Sequence, residues 1–577
     1  MNPLSENTGA SFRRAVYWLL IVTSAAAMTG RIVSVRSESG RTPFLSANDR
    51  SRWCTIRALV DYRRYSIDEV VIRDPTATEP RRKFDPDWQT IDMVRHVGPD
   101  GKEHYYSSKP ALLTTLLAAL YWIIKSITGV GLGEHPFYVA RYMLIITNVL
   151  PLVGAFVCLY RLLERSGTSH WGRIFVMACA TWGTFLTTFA VTLNNHVPAA
   201  VCAIVAVYAA LPIWWGDTKN IGNFVVAGLM AALAASFEFP ALALLAAIGA
   251  GLLIRAPIKT FAAFVPPVLV VAAAFFLCEF AAHGSFLPAY AHRSDGPIAG
   301  HFVPEIKSNG ADATNNADKT NDSPTTPDAE KKPEGQGEVN AEALQAALGE
   351  IAAGLDEGKL PEQLRKDLSL SAESTIRPSG EARWAIYDPA GEERRFAVVR
   401  AQANFEVRHW NNWYDYEGSY WTPEGKRGID RGEASRSIYA YNVLIGHHGI
   451  FSLTPIWVLS VAGLLVMLFG NRDGMRGYAL MVLAVSGACL AFYLLRPLDD
   501  RNYGGVTSGL RWLFWLAPLW LVGMVPVCDT LAKYRAGRFV GLALLLASGI
   551  SAAYGWTNPW SHPWILDYWL YMQWIAL

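Results

Sequence analysis

About eleven apolar runs, almost free of charge, constrain this chain more than any other feature it has. They read as Ala15 to Thr29, Phe137 to Tyr160, Ile174 to Val191, Pro198 to Trp214, Phe224 to Ser236, Pro240 to Ile254, Phe261 to Phe280, Ile450 to Phe469, Ala479 to Leu495, Trp512 to Val527 and Val540 to Trp556. A bilayer accepts such runs as helices, which satisfy every backbone hydrogen bond internally where no water can. Of 577 residues 52% are hydrophobic and only 17% charged, against about 25% charged in soluble domains. The expected fold is an all-α polytopic membrane protein with about eleven transmembrane helices.

Charge narrows the partners. Lys and Arg number 51 and Asp and Glu 49, a net charge of +2, so the chain lacks the basic excess of a nucleic-acid binder. Its partners are sought among membrane lipids. Of the seven cysteines only Cys54 stands in a clearly polar segment, and no disulfide framework or metal cluster follows from that pattern.

Orientation follows from the basic loops. Arg13 and Arg14 precede the first run and hold the N-terminus in the cytoplasm. Ser24-Ala25-Ala26-Ala27 would also suit signal-peptide cleavage, the alternative reading of that run. Ala111 to Val130 is apolar enough to span but contains Lys125. If it only dips into the outer face, the next run delivers Arg161, Arg165 and Arg173 to the cytoplasm. Lys219, Arg255 with Lys259, Arg472 with Arg476, and Lys533 with Arg535 and Arg538 then join them. The C-terminus lies outside, with Trp560, Trp564, Trp569 and Trp574 as an interfacial anchor. The expected location is a bacterial inner membrane, with the polar segments extracytoplasmic.

Three regions result. Residues 1–280 form a helical core with a first outer loop at 34–136, 281–449 a large extracytoplasmic loop, and 450–577 the last helices and an aromatic tail. Within the large loop, Ser308 to Glu338 is too polar to bury a core, giving a disordered insertion at about 305–340. Ala341 to Leu370 has helical periodicity and Arg383 to Phe405 could form strands, so a mixed α/β module is expected. In the first outer loop, Thr90 to Ser107 reads as a hairpin around Gly98-Pro99-Asp100-Gly101.

Polar residues that could do chemistry come from five places on the outer face. Asp49 falls in a short helix with Arg50 and Arg52, where an apolar boundary would raise its pKa toward that of a general base, or where it could simply pair with either arginine. Tyr106 and Lys109, in His104 to Pro110, could hold a phosphate, though Lys109 could equally snorkel. Asn195 and His196 cap the outer end of one span without any metal-ligand spacing, and Glu238 sits between two short spans. The fifth place comprises His447, His448, Tyr503 and Arg511, in aromatic, glycine-rich tracts where Arg511 could fork onto a phosphate or pyrophosphate.

These residues in this order resemble the GT-C glycosyltransferases. The resemblance rests on Asn48-Asp49-Arg50 after the first span, Tyr106-Ser107-Ser108-Lys109-Pro110 before a membrane-associated helix, and Ala140-Arg141 opening the next span, and it covers roughly Ala15 to Tyr208. That superfamily includes protein O-mannosyltransferases, lipid A aminoarabinose transferases and the catalytic subunit of oligosaccharyltransferase. The resemblance implies a polyprenyl-phosphate-linked sugar donor, an inverting transfer to a lipid, glycan or protein acceptor, Asp49 as base or metal-assisting carboxylate, and Lys109 and Arg511 at the donor phosphate. Where the family often has a second acidic residue, this chain has Asn194-Asn195-His196. That departure leaves a divalent Mg or Mn ion open and makes His196 an alternative polar contact. Two other classes compete: a transporter or flippase, which should show internal repeats and midplane charges, and a non-catalytic envelope assembly protein.

Overall fold

The computed structural model describes residues 3–77, 79–302, 369–376, 382–387, 394–401, 404–422, 425–470 and 474–575. The expected insertion at about 305–340, the helical stretch up to residue 368, and Arg472 lie outside the described residues. The described chain divides into a helical unit, residues 1–291 with 413–577, and a smaller unit, His292–Asn412.

Among the described residues seven helices of the large unit are long and apolar enough to cross a membrane: Gly9–Ser34 within α1 (Pro3–Ser34), Ala111–Thr128, Pro136–Ser166, His196–Trp214, Pro257–His283, Arg476–Leu494 and Arg535–Tyr554. Arg511–Gly523 and Val525–Leu531 add an eighth if this pair, bent by 48°, counts as one span; Ile221–Phe237, Phe239–Arg255 and Trp457–Phe469 are shorter apolar helices. Besides this bent pair, which falls on the run Trp512 to Val527, two more of the runs read from sequence are interrupted. Ile174 to Val191 is divided between His170–Trp182 and Phe185–Phe189. Ile450 to Phe469 splits at Thr454-Pro455, where proline has no N–H to continue the ladder.

Burial orders the helices. His196–Trp214 is 67% buried and stands at the centre, whereas Pro257–His283 is 17% buried and turns its apolar side chains outward, as lipid-facing helices do. Small residues bring helices together. A Cβ on Gly228 would stand 2.3 Å from the Phe264 carbonyl, and one on Gly463 2.2 Å from that of Gly523, so both contacts need glycine.

The two ends of the bundle differ. At one end Arg13 meets Glu164 at 2.6 Å, Arg165 meets Asp217, Lys259 donates to the Lys219 carbonyl, and Asp529 accepts from the Thr168 and Ser169 amides. The sequence-read basic loops therefore gather together. Pro136–Ser166 ends there, so its start, and the short loop that joins it to the last turn of Ala111–Thr128, belong to the opposite end. Lys125 and Tyr121 both bond Asp61, at 2.8 and 2.9 Å, and the loop after the helix folds back so that the Leu132 amide donates to Tyr121. Pairing with Asp61 is what makes a lysine tolerable in this apolar helix.

At that opposite end lie α2 (Ala47–Arg57) and the expected hairpin, β1 (Met93–Val97) and β2 (Glu103–Ser107), paired antiparallel from Met93 with Ser107 to Val97 with Glu103. The smaller unit is an antiparallel sheet in the order β3-β7-β6-β5-β4, from Ile298–Phe302, Asn404–His409, Arg394–Ala401, Ala382–Tyr387 and Ser369–Ile376. The described residues of the stretch Arg383 to Phe405 are thus strands, with Phe396 and Val398, and Val407 just beyond it, buried.

Candidate active site

The helix α2 starts with a capping box. The Ser46 hydroxyl accepts from the Asp49 amide, and Asp49 Oδ1 accepts from the Ser46 amide at 2.9 Å. Asp49 Oδ2 accepts from the Leu45 amide at 3.0 Å and the Thr192 hydroxyl at 2.8 Å, and Trp560 Nε1 donates to that hydroxyl in turn. Asp49 makes these bonds rather than a pair with Arg50 or Arg52. Burial raises its pKa, against the lowering effect of the Ser46 and Leu45 amides and Thr192. Arg50 turns back to the Ser46 carbonyl, 3.2 Å away.

Arg52, one turn further on, points into the protein. Its Nη1 donates to the Asn48 carbonyl and side chain, and its Nη2 to Asn195 Oδ1 at 2.6 Å. The hairpin supplies the next two groups. Its register continues past Met93 and Ser107, and the Ser108 amide donates to the Asp92 carbonyl, which brings Lys109 beside the Asp92 side chain at 2.8 Å. The Ser51 hydroxyl docks α2 onto this corner through the Asp92 carbonyl and Ser107.

The fourth contributor is the turn before Arg511. Arg511 Nε donates to the Gly504 carbonyl at 2.8 Å, its Nη1 to His196 Nε2 at 2.9 Å, and its guanidinium lies over the Trp560 ring. Lys109 therefore pairs with Asp92, and Arg52 and Arg511, from two other stretches, lie near enough to act on the same carboxylate through space. Burial alone would raise the Asp92 carboxyl, but Lys109, Arg511 and Arg52 hold it below its usual range. Burial pushes the Lys109 ammonium down to about 8, Asp92 working against that shift and Arg52 and Arg511 with it. Arg52, Lys109 and Arg511 face Asp92, Glu238 and Asp430, so an arriving anion has to compete with these carboxylates for the cations.

Beneath the cations lies Glu238, 5% exposed, at the break between Ile221–Phe237 and Phe239–Arg255. Asn195 Nδ2 donates to it at 2.7 Å, and His196 Nδ1 bonds the same oxygen, Oε1. Arg52, Lys109, Asn195, His196, Glu238 and Arg511 thus form one cluster, with Asp49 one turn away on α2. Two further groupings stand apart in their contacts. Tyr106 stacks on His96 at 4.2 Å, next to Trp413 and His283. His448 stacks on Tyr503, with His447 at its edge, and burial lowers His447 to about 4.

Asp92 is the residue that sequence reasoning passed over. The signal was present in the hairpin: pairing Met93 with Ser107 places Asp92 across from Ser108, next to Lys109. Asp430 is a second such case, accepting from Tyr420 at 2.8 Å and Asn502 at 3.2 Å, close enough to feel Arg511.

The donor set does not suit a resident Mg or Mn ion. Asp92 is taken by Lys109, Asp49 by amide and hydroxyl donors, and Glu238 by Asn195 and His196. Among the described residues no group of three or more His, Cys, Asp or Glu side chains could hold a metal.

The chain shares a coarse likeness with a solved enzyme structure. The apo crystal structure of the Archaeoglobus fulgidus oligosaccharyltransferase aligns over 97% of this chain at a TM-score of 0.39 and 12% identity. The chain spans 57% of that protein's length. No protein-family profile and no curated protein sequence matches it.

Proposed function

We propose that this protein is an integral membrane glycosyltransferase. It moves a sugar from a polyprenyl-phosphate-linked donor to an extracytoplasmic acceptor, with inversion. The observation that carries the reading is the gathering of Arg52, Lys109 and Arg511 around Asp92 at one end of a membrane-embedded bundle. A polyprenyl phosphate does not leave the bilayer, so its enzyme must hold the phosphate at the membrane surface. Donors of this kind at that depth support the reading, because a phosphate held there needs them.

Chemistry follows from the same contacts. Donor phosphate entering the corner competes with Asp92 for Lys109. Freed from its partner, Asp92 loses the charge that kept its pKa low and becomes a better base. It takes the proton of the acceptor hydroxyl as the oxygen bonds the anomeric carbon; the bond from that carbon to the phosphate breaks, and the charge on the departing lipid phosphate rests on Lys109, Arg52 and Arg511. Attack from the face opposite the leaving phosphate inverts the anomeric centre. Asp49, the base expected from sequence, is the alternative for the proton: its raised pKa favours it, and the four hydrogen bonds its carboxylate already accepts disfavour it.

Transfer of radiolabelled sugar from polyprenyl-phosphate donors by purified protein tests this. Asp92→Asn should lose about a hundredfold or more in rate, the usual worth of a general base. Full activity in Asp92→Asn together with loss in Asp49→Asn would reassign the base. Absence of transfer by the wild type from every such donor would end the reading.

A further inference from the structure

Two guanidiniums stand side by side in the cluster, and each reaches the same buried carboxylate through one intermediate side chain. Arginine has only donors, so whatever accepts from it is fixed in orientation. Arg52 Nη2 donates to Asn195, which makes the contacting Asn195 atom the amide oxygen and leaves its nitrogen to donate to Glu238 at 2.7 Å and to the Phe237 carbonyl at 3.0 Å. Arg511 Nη1 donates to His196 Nε2, which must offer a lone pair there. The imidazole is then neutral, with its proton on Nδ1 facing Glu238. Both chains end on Oε1 of Glu238.

The geometry points to Glu238 as a forked positioning residue: through the adjacent pair Asn195 and His196 it orients Arg52 and Arg511, so that both guanidiniums face a phosphate held between them. The inference rests on the glycosyltransferase reading for what the guanidiniums hold, and on the hydrogen bonds alone for how they are held. Glu238 touches no reacting atom and acts through the two arms. Neighbours in sequence, Asn195 and His196 can each serve a different arginine because they open the helix His196–Trp214, where the chain turns from loop into span. Each guanidinium has one anchor of its own, Arg52 on Asn48 and Arg511 on the Gly504 carbonyl, and the fork is what ties the two like charges to each other.

The test uses full-length protein in detergent and farnesyl phosphate as the binding probe, with dissociation constants from calorimetry. Asn195→Ala and His196→Ala should each weaken binding about tenfold, the usual worth of a charge-assisted hydrogen bond. The diagnostic is arm-specific coupling. Asn195→Ala added to Arg52→Ala should cost nothing further, whereas added to Arg511→Ala it should cost its full tenfold; His196→Ala should behave in the mirror-image way. His196→Gln, whose amide oxygen can still accept from Arg511, should recover most of the affinity, which a loss of packing alone would not permit. Glu238→Ala should match the Asn195/His196 double variant; should it not fold, the coupling pattern of the two arms decides without it.

Effects that multiply in every pairing would overturn the fork while leaving a phosphate site. Coupled binding in a protein that transfers no sugar would keep the fork and remove the glycosyltransferase reading. No binding of farnesyl phosphate by the wild type would overturn both.

Discussion

Lys109 holds its charge against its surroundings. Burial and the nearby Arg52 and Arg511 bring its pKa down to about 8, with only Asp92 opposing them. The sign of the consequence is fixed: below that value the ammonium is charged and attracts phosphate, and above it the attraction is lost. Farnesyl phosphate affinity should therefore fall as pH rises through about 8, and Lys109→Arg should move that fall to higher pH, because arginine stays protonated. An unchanged alkaline limb in Lys109→Arg would take Lys109 out of the phosphate site. Polar side chains at the ends of apolar runs are conspicuous, which is why Lys109, Asn195, His196, Glu238 and Arg511 could all be picked out from sequence. Asp92 could not, because its meaning comes from the strand opposite it rather than from its own neighbours. The sequence reading of Asp49 could not tell a helix cap from a base, since both require an acidic residue early in a short helix.

Among the elements, the helix Ala111–Thr128 connects the lipid-facing surface to the cluster. It starts two residues after Lys109, and the Ala111 amide donates to Glu279 Oε1 at 2.7 Å, so a carboxylate from the end of Pro257–His283 caps it. Glu279→Ala leaves that amide unpaired and loosens the turn carrying Lys109. Detergent thermal unfolding should shift down, and farnesyl phosphate binding should weaken about tenfold, the scale of one lost charge-assisted bond. Glu279→Gln retains an acceptor and should keep most of both. Equal behaviour of the two variants would show that the cap does not govern Lys109. Hairpin and helices were legible because turn residues and apolar periodicity are local signals. The break at Pro455 and the bend of 48° before Val525 were not, because whether an apolar run stays straight depends on the helices packed against it.

At the scale of the whole molecule, the charge distribution and the site make one claim about sidedness. His196–Trp214 starts in the cluster and ends beside Lys219; Phe239–Arg255 starts beside Glu238 and ends at Arg255. The cluster and the basic loops are thus opposite ends of the same helices. Loops rich in Lys and Arg tend to stay in the cytoplasm, and on that ground we propose that the cluster faces the extracytoplasmic side, where the acceptor would meet it. Val506, 42% exposed near the cluster, and Ile258, 82% exposed between Arg255 and Lys259, mark the two ends. In spheroplasts, a membrane-impermeant maleimide should label Val506→Cys at once and Ile258→Cys only after permeabilisation. Reversed labelling would turn the protein over and require a cytoplasmic acceptor. Labelling of both from one face would mean that these helices do not cross at all, and a phosphate site at the far end of a transmembrane bundle would then have no membrane surface to serve.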